Sequence, residues 1–477
     1  MNMVEEILRV EEKYSLNAVN VHGFYPWTCT RFLIWESLNY QRQKRKKSLF
    51  GLIKTGISVV GFVFLSLFRR SPKLHQENNV LFVCQGRRVL NDGIYENNTI
   101  DDLAEVFTDS ITLEHPFKQL HHFSPAKTMN LIYSDKIMLK AHIYGQLTKY
   151  FRRKKFREIY GQMQCSLEPP LNELFGDSEA DVAGWLEKMT YRYFIFKSKY
   201  KSYMCFLKNL KPNLIIEDVH YSLDNMIINE LAKEVGIPTI ELQHGIIGRG
   251  HIAYNYPPNE YIPQFPDMIM LFSEFWKESA EYPISNDKLI PVGFPYFERQ
   301  VNKFKNVNSS ESSDNVAVFL GQPNGVTKGL DELAVSTHDR IKEKGWRVVF
   351  KLHPSEFNDW QATYPLLVNT DIEVIDSHEK QLYEIFSASK ALVGICSTSI
   401  FEGIGFGLAA FIYDLPGSER MDDICERKLA TKVSDSESLS KHLINLDVNF
   451  ETKSEELWMP NALEKMREFV TAMLATQ

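Results

Sequence analysis

The chain has 477 residues, of which 44% are hydrophobic and 24% are charged, and its formal net charge is -7. This length and composition exclude a disordered chain and favour two globular domains with additional segments. The negative charge provides no general attraction to nucleic acid, so no nucleic-acid partner is expected. No C-x-x-C pair occurs among the six cysteines, which argues against a disulfide framework and structural zinc and favours a reducing, cytoplasmic location.

Residues 1–75 are predicted to form an N-terminal helical segment without a secretory signal, because no apolar stretch follows a basic start. A basic run at residues 44–47 precedes a mostly apolar stretch at residues 49–68, which only Lys54 interrupts. The uncharged part after Lys54 has about 14 residues, fewer than the ~20 that span a bilayer. This stretch is interpreted as an interfacial or re-entrant anchor on anionic lipid, or alternatively as a buried core helix. The first interpretation places the protein peripherally at the inner face of the cell membrane.

From Asn79 onward, short apolar strands alternate with helices, a pattern that is typical of parallel sheets. We predict two Rossmann-like α/β domains that face a cleft. The acceptor domain covers residues 76–300, and the donor domain covers residues 301–477 and includes a C-terminal amphipathic helix. The polar, Ser-rich stretch at residues 302–315 is the predicted linker. Residues 131–208 are rich in basic and aromatic residues, at the spacing of amphipathic helices with a solvated polar face.

In the second domain, polar residues follow three predicted strands. Ligands of open parallel sheets bind beyond the carboxyl ends of the strands, so these residues are candidates for substrate contacts. A Ser/Thr run at a helix start offers hydroxyls and the positive end of the helix dipole to a phosphate, and Glu402 could accept from ribose hydroxyls. The alternative for this run is ordinary N-capping, with Glu402 completing a capping box. The candidates are Gly321, Gln322, His353, Pro354, Ser397, Thr398, Ser399 and Glu402.

The order GQ, KLHP and STSIFEG in this half resembles the C-terminal donor domain of bacterial GT-B glycosyltransferases that build surface polysaccharides. Similar HP and Ser/Thr elements occur in sialyltransferases, in capsule Kdo transferases and in the glycerophosphate transferases of teichoic acid synthesis. The resemblance implies that His353 and the Ser/Thr run hold the nucleotide and phosphate of the donor. The N-terminal stretches NVHGFYPWTCTRFLIWESL and GRRVLNDGIYENNTID also resemble segments of capsule-locus transferases. The acidic motif that supplies the base of sialyltransferases is absent, with Gln-His-Gly at the analogous strand end.

In the first domain, the predicted strand IPTIELQHG ends on a polar corner. Transfer to a hydroxyl needs a base, and a histidine with an ordinary pKa of ~6.5 is largely neutral near pH 7. His244 is therefore the candidate base, with Asp218 and His220 at the end of the neighbouring strand to orient it or the acceptor. Glu241 is expected to be structural, because strand alternation points it to the face opposite His244. The loop at residues 248–250 is expected to act as a lid. Further acceptor-side candidates are Arg87, Arg88, Asp92, Gln243, His251 and Tyr254.

These features predict a membrane-associated glycosyltransferase that moves a sugar from a nucleotide-sugar donor to a lipid-linked or growing polysaccharide acceptor, with inversion by single displacement. No metal ion or cofactor is expected beyond the nucleotide-sugar substrate. Two alternatives stay open. A nucleotide-sugar 2-epimerase shares the two-domain architecture but needs several carboxylates and no acceptor. A non-catalytic scaffold of polysaccharide assembly requires that the strand-end residues be dispensable.

Overall fold

The computed structural model describes residues 3–41, 79–116, 125–128, 130–176, 179–307, 315–322, 329–358, 360–446 and 453–476. The apolar stretch at residues 49–68, interpreted above as a membrane anchor, lies outside these ranges. Within them, no helix combines the length and the apolar character needed to cross a bilayer. The chain divides into two compact units. The first comprises Met1–Leu271, Ala280–Val292 and Leu463–Gln477, and the second comprises Phe272–Ser279 and Gly293–Ala462.

The first unit is built on a parallel sheet and a small hairpin. The strands are β1 (Val80–Gln85), β2 (Val89–Asn91), β3 (Ile94–Glu96), β4 (Ser110–His115), β5 (Leu131–Tyr133), β6 (Leu214–Glu217), β7 (Thr239–Leu242), β8 (Met268–Leu271) and β9 (Leu289–Pro291). In the described residues, seven of them pair in the order β5-β4-β1-β6-β7-β8-β9, each pair parallel. The chain proceeds outward from β1 to β5 and then returns to place β6 beside β1. Ligands of such sheets bind at this reversal, beyond the carboxyl ends of the strands.

Helices cover both faces of this sheet. They are α1 (Met3–Tyr14), α2 (Arg31–Gln41), α3 (Asp101–Val106), α4 (Asp135–Phe151), α5 (Arg153–Phe175), α6 (Glu179–Leu210) and α7 (Leu223–Val235). Successive residues of β1 enter opposite cores: Leu81 and Val83 pack beneath α6 and α7, whereas Phe82 packs with Leu103 of α3. A strand that is buried on both faces must be apolar throughout, which is why the VLFVC pattern predicts β1 well.

A short antiparallel hairpin of β2 and β3 follows β1. Asp92 and Gly93 form its turn, with positive φ angles of 48° and 82°. An Asp-Gly pair between short apolar segments is a strong hairpin signal, because both central residues of a type I′ turn need positive φ. The polar composition of GRRVLNDGIYENNTID predicts a loop that enters a helix, and for the part that forms the hairpin this prediction is wrong.

The second unit has the same organisation. Its strands are β10 (Asn315–Leu320), β11 (Trp346–Lys351), β12 (Glu373–Ile375), β13 (Ala391–Gly394), β14 (Ala409–Tyr413) and β15 (Ala430–Val433). Its helices are α8 (Pro295–Val307), α9 (Leu330–Ile341), α10 (Trp360–Thr363), α11 (Leu382–Ser387), α12 (Thr398–Gly405), α13 (Asp422–Glu426), α14 (Ser436–Ile444) and α15 (Ser454–Leu457). The described strands pair in the order β12-β11-β10-β13-β14-β15, all parallel, with the reversal between β10 and β13. The prediction of two parallel-sheet α/β units is confirmed.

The first part of the predicted linker at residues 302–315 is helical, because α8 continues to Val307, and α8 and β10 both belong to the second unit. Phe297, Val301 and Phe304 keep the apolar spacing of a helix through this polar stretch. The excess of Ser and Asn in residues 302–315 therefore does not mark the position at which α8 ends.

The C-terminal helix α16 (Ala462–Ala475) packs on the sheet of the first unit rather than on that of the second. Met466 and Val470 of this helix lie in one core with Met268 and Met270 of β8. Amphipathic spacing indicates that a helix buries one face, but it does not identify the sheet that receives this face. The chain therefore returns to its first unit at its end.

Candidate active site

The residues that follow β10, β11 and β13 lie at one edge of the second sheet, because these three strands are neighbours. Gln322 joins two of the strand ends: its Oε1 accepts from the Cys396 N–H at 3.0 Å, and its Nε2 donates to Cys396 Sγ at 3.5 Å. Gly321 is closely surrounded, since a Cβ there would lie 3.1 Å from Glu356 Oε2 and 3.3 Å from Leu352 Cα. Gly321 and Gln322 thus lie at the reversal of strand order, where such a sheet admits a ligand.

His353 follows β11 and begins a short 3₁₀-helix, Pro354–Glu356. It caps this helix, because its Nδ1 accepts from the Ser355 N–H at 3.2 Å while the Glu356 carboxylate accepts from the His353 N–H at 3.1 Å. The side chain is exposed, as is Pro354. With Nδ1 occupied inside the protein, Nε2 is the ring atom of His353 that can contact a ligand.

Ser397 caps α12, with its Oγ accepting from the Ser399 N–H at 3.3 Å. Thr398 is exposed in the first turn of the helix. Glu402 does not complete a capping box; it accepts a hydrogen bond from the Tyr383 hydroxyl at 3.0 Å, and burial raises its pKa to about 7. The Ser/Thr run therefore lies at the N-terminus of a helix, where the dipole favours a phosphate.

Asp218 lies at the reversal of strand order in the first unit, between the ends of β1 and β6. Its Oδ2 accepts from the Gln85 N–H at 3.0 Å and from Asn97 Nδ2 at 3.3 Å. Its Oδ1 is buried without a hydrogen-bond partner in the described part of the chain. Burial raises the pKa of Asp218 to about 7. This carboxyl joins the two strand ends and titrates near neutral pH.

Glu241 of β7 is fully buried and lies at the centre of the candidate site. Its Oε2 is 2.6 Å from His220 Nδ1, and its Oε1 accepts from the Tyr254 hydroxyl at 2.7 Å. His220 Nε2 lies 3.1 Å from the Ala253 carbonyl, which only accepts, so Nε2 carries a hydrogen. Burial by itself raises the pKa of Glu241, but His220, His244 and the Tyr254 hydroxyl together lower it by more. Glu241 is thus held as a carboxylate in the protein interior.

The His244 side chain is 18% exposed and lies against the same carboxylate, with Nδ1 3.6 Å from Glu241 Oε1. Its Nε2 is 3.1 Å from the Tyr221 hydroxyl. Burial lowers the pKa of His244, the Glu241 carboxylate opposes this shift, and the charges of His220 and Arg87 add to it. His244 is therefore neutral at pH 7, beside a carboxylate that stabilises its protonated form.

The prediction that Glu241 points away from His244 is wrong. β7 ends at Leu242, and the alternation that would separate the two side chains applies only within an extended strand. The chain turns at Gln243, whose Nε2 donates to the Gly245 carbonyl at 2.9 Å. This turn brings His244 back to the side of the sheet that Glu241 occupies.

Aromatic rings line one side of His244. The Tyr221 ring lies 5.9 Å from it, centroid to centroid. His251 lies 5.5 Å from Tyr221 and 6.0 Å from Trp35 of α2, and Phe32 of α2 lies 4.6 Å from Tyr221. Burial lowers the pKa of His251 to about 3, so this ring is neutral and packs as an aromatic side chain. Aromatic walls with a few polar groups are typical of pockets for organic ligands.

The N-terminal helices hold the loop that follows β7. Arg31 and Glu11 form a buried ion pair, with Arg31 Nε 2.8 Å from Glu11 Oε1. The same guanidinium donates to the carbonyls of Ile252 and Asn255 at 2.7 and 2.8 Å. Removing one partner of such a pair leaves a buried charge and costs about 3–5 kcal/mol. Residues 3–41 are therefore part of the scaffold of the site.

The two neighbouring arginines predicted on the acceptor side have different surroundings. Arg87 is exposed, and its charge acts on His244. Arg88 is buried in ion pairs with Asp101 at 2.8 Å and Glu114 at 2.7 Å. Arg87 can face a substrate, whereas Arg88 joins the segment after β1 to α3 and to β4.

The described residues contain no group of three or more His, Cys, Asp or Glu side chains placed to hold a metal ion. A cavity of about 550 Å³ in the first unit is lined by Pro238, Met268 and Lys288, among other residues. These three lie near the amino ends of β7, β8 and β9. The cavity thus opens at the edge of the sheet opposite His244 and does not belong to the candidate site.

Glu217 of β6 pairs in register with Glu241. It provides a test of how burial and the charge of Glu241 act on a neighbouring carboxyl. Burial raises its pKa from 4.5 to about 8, and the Glu241 charge acts in the same direction. An unfolded glutamate loses its proton near pH 4.5, so between this pH and about pH 8 the folded state binds more protons. The free energy of unfolding therefore falls as the pH rises through this interval, by roughly 4 kcal/mol.

Glu217→Gln is expected to remove this fall, because Asn229 can donate to the amide oxygen as it does to Glu217 Oε1 at 2.8 Å. Urea titrations of both proteins between about pH 5 and about pH 8 measure the difference. The same pH dependence in the two proteins would contradict a buried, protonated Glu217.

Of the residues around His244, Tyr221 was not identified from the sequence, His220 was given only an orienting role, and Glu241 was placed on the wrong face. The signal in the sequence was the repetition of ionisable residues at the ends of two successive strands, EDVHY and then ELQH. Neighbouring parallel strands bring such ends together. Recognising the network also needed the register of β6 with β7, which pairs Glu217 with Glu241.

No protein-family model matches the sequence, and no curated protein matches it. Among solved structures, the chain is similar to UDP-GlcNAc 2-epimerase from Methanocaldococcus jannaschii, with a TM-score of 0.49, 11% identity, and 82% of this chain and 99% of that chain covered. It is also similar to MurG from Acinetobacter baumannii, with a TM-score of 0.45, 11% identity and coverage of 83% and 99%. A structure of the wall teichoic acid polymerase TagF has a TM-score of 0.42, 10% identity and coverage of 90% and 100%. The function proposed below therefore rests on the residues of the site.

Proposed function

We propose that the protein is a GT-B glycosyltransferase that moves a sugar from a nucleotide-sugar donor to a hydroxyl of a lipid-linked or growing surface-polysaccharide acceptor, with inversion. The observation that carries the proposal is a neutral, partly exposed His244 at a strand end, backed by the buried carboxylate of Glu241. A general base for a hydroxyl requires such an arrangement. The proposal includes no cofactor or metal ion and places the reaction at the inner face of the cell membrane.

In this proposal, the acceptor hydroxyl replaces the Tyr221 hydroxyl as the hydrogen-bond partner of His244 Nε2. His244 Nε2 then takes the proton of the acceptor hydroxyl. As the proton leaves, the acceptor oxygen bonds to the anomeric carbon of the donor sugar. The bond from that carbon to the donor phosphate breaks, and the phosphate keeps the electron pair. The imidazolium formed at His244 faces Glu241, which His220 and Tyr254 hold in place. Asp218 fixes the neighbouring strand ends that present the acceptor.

The second unit binds the donor in this proposal. Ser397 and Thr398 offer hydroxyls and the N-terminus of α12 to the donor phosphates. His353 contributes Nε2, since its Nδ1 caps the local 3₁₀-helix. Gln322 holds the end of β13 in place through its two hydrogen bonds with Cys396. Glu402 accepts from a ribose hydroxyl through Oε2, because Oε1 is occupied by Tyr383.

Ser397→Ala is expected to weaken nucleotide binding by about tenfold, because it removes a hydroxyl and loosens the first turn of α12. Calorimetric titration with the nucleotide that stabilises the protein measures this change. Asp435→Ala is the matched control, since Asp435 caps α14 in the same unit by accepting from the Ser438 N–H at 2.8 Å. The control loses a cap at a cost of about 1 kcal/mol but should bind the nucleotide normally. Unchanged affinity in Ser397→Ala would refute the donor site.

The function itself is tested in two steps. CMP, CDP, UDP and GDP are first screened for a rise in melting temperature, since a ligand of the native state stabilises it by mass action. The corresponding nucleotide sugars, labelled in the sugar, are then incubated with and without lipid-linked or polysaccharide acceptors. Label that enters the acceptor supports the transferase. Conversion of the nucleotide sugar without an acceptor would instead indicate an isomerase, and no turnover in either case would favour a scaffold.

A further inference from the structure

One face of α4 exposes a row of apolar side chains. Residues at i, i+4, i+7 and i+8 share a helix face, and the four side chains at these positions of α4 are 51%, 51%, 57% and 81% exposed. They are Ile143, Leu147, Tyr150 and Phe151. Single exposed apolar residues are common, but a contiguous row of this kind marks an interaction surface.

The opposite face of α4 packs closely against α6, so the apolar row cannot turn inward. Ala141 and Gly145 are buried on that side. A Cβ at Gly145 would lie 2.8 Å from the Tyr191 ring and 3.3 Å from Ile195, so the glycine permits the two helices to approach. The sequence predicts an amphipathic helix here with a solvated polar face. In the structure, large apolar residues lie on the outer face instead.

The start of α5, directly after this row, exposes a cluster of basic side chains. Residues 149–157, KYFRRKKFR, contain six basic residues and no acidic residue. Lys149 pairs with Glu187 at 2.6 Å. The other five are exposed, and none forms an ion pair with another residue in the described ranges. They are Arg152, Arg153, Lys154, Lys155 and Arg157.

We propose that residues 143–157 form a docking surface for an anionic lipid bilayer. The apolar row enters the boundary between headgroups and acyl chains, and the basic cluster contacts the lipid phosphates. Charge complementarity favours this partner, because a chain of net charge -7 would otherwise be repelled by an anionic membrane. A nucleic acid would engage the basic cluster but leave Ile143 and Leu147 in water. The surface is independent of the proposed reaction and of residues 49–68.

The proposal is tested by sedimentation of the full chain with vesicles of phosphatidylcholine alone or with about 30% phosphatidylglycerol, over a range of lipid concentrations. Leu147→Glu with Phe151→Glu is expected to lower the partition coefficient for anionic vesicles by at least about tenfold. Arg153→Gln with Lys154→Gln is expected to lower it by about tenfold at low salt and to reduce its salt dependence. Unchanged partition in both variants would overturn the proposal.

The matched control is Leu366→Glu with Val368→Glu, two apolar residues of the second unit that are 50% and 38% exposed. This control should sediment with anionic vesicles like the unchanged chain. An equal loss of vesicle binding in the control would show that added acidic residues weaken binding wherever they are placed. Circular dichroism and the melting temperature establish that each variant is folded.

A probe at position 151 makes the test direct. Cys165 and Cys205 are exposed and are first replaced by serine, and Phe151→Cys then carries an environment-sensitive dye. On anionic vesicles, the dye should shift to the blue and be quenched by nitroxides in the acyl chains. A dye that stays in water on membrane-bound protein would overturn the proposal. So would a shift caused by heparin but not by vesicles, which would indicate a polyanion site instead.

Discussion

Replacing His244 by alanine is expected to lower the turnover number for sugar transfer by a factor of about 10²–10⁴, the usual contribution of a positioned base. The affinity for the nucleotide should not change, because the proposed donor contacts are made by the second unit. Only transfer should be affected, because the variant lacks the one side chain that is proposed to take the proton from the attacking hydroxyl. Initial rates with labelled donor and calorimetric titration with the nucleotide measure the two quantities.

His142→Ala is the matched control for this experiment, because His142 is an exposed histidine of the same unit that lies on α4. It should transfer sugar at the normal rate. A parallel loss of transfer and nucleotide binding in His244→Ala, with an unchanged melting temperature, would exclude the role as base. So would a turnover number close to that of the unchanged protein.

Glu241→Gln is expected to have the second large effect, on stability as well as on activity. The substitution removes the carboxylate that faces His220 at 2.6 Å, and breaking a buried pair costs about 3–5 kcal/mol. The pKa of Glu241 is below its ordinary value of 4.5, so its contribution to stability is present above pH 4.5. This contribution is lost as the pH falls through the pKa of the folded state. The difference between variant and unchanged protein in urea titrations should therefore shrink below pH 4.5.

The pH profile of transfer provides a second readout of Glu241→Gln. The carboxylate raises the pKa of His244 against the effect of burial, so its removal lowers this pKa further. The acid limb of kcat/KM should therefore move to lower pH. The maximal rate should fall by at least about tenfold, because the imidazolium is no longer stabilised. An acid limb that does not move would contradict the coupling between the two residues.

Glu217→Gln is the control that separates these effects from the general cost of altering a buried carboxyl. Glu217 lies beside Glu241 in the register of β6 and β7, but its pKa is raised to about 8 rather than lowered. An amide imitates its protonated form, so this variant should be at least as stable as the unchanged protein at pH 7 and should retain transfer. Loss of activity in both Glu217→Gln and Glu241→Gln would mean that the site tolerates no change to the buried carboxyls of β6 and β7.

Much of the fold was predictable because parallel strands that are buried on both faces must be apolar along their whole length. The helix α7 was predictable in detail, since Ser222 caps its start and Gly236, with a φ of 76°, ends it. The hairpin of β2 and β3 was missed although Asp92-Gly93 carried the signal. The position of α16 could not be predicted, because its partner strand β8 is separated from it by the entire second unit.

The candidate site was predictable in its parts but not in its connections. The positions of Gln322, His353 and Ser397 at one edge of the sheet were predictable, because each residue follows a strand and parallel strands place their carboxyl ends at one edge. The contact between Glu241 and His220 depends on strand register and on the exact end of β7, which periodicity does not determine. The role of Arg31 was equally hidden, because its partners Ile252 and Asn255 are carbonyls that any residue could supply.

The ion pair between Glu11 and Arg31 has a consequence for where substitutions can act. Arg31 joins α2 to the carbonyls of Ile252 and Asn255, 221 and 224 residues further along the chain, and α2 also carries Phe32 and Trp35 of the aromatic wall. The shape of the candidate site therefore depends on the N-terminal helices as well as on the sheet. A substitution in α1 or α2 can change which substrates the site accepts without altering His244 or Glu241.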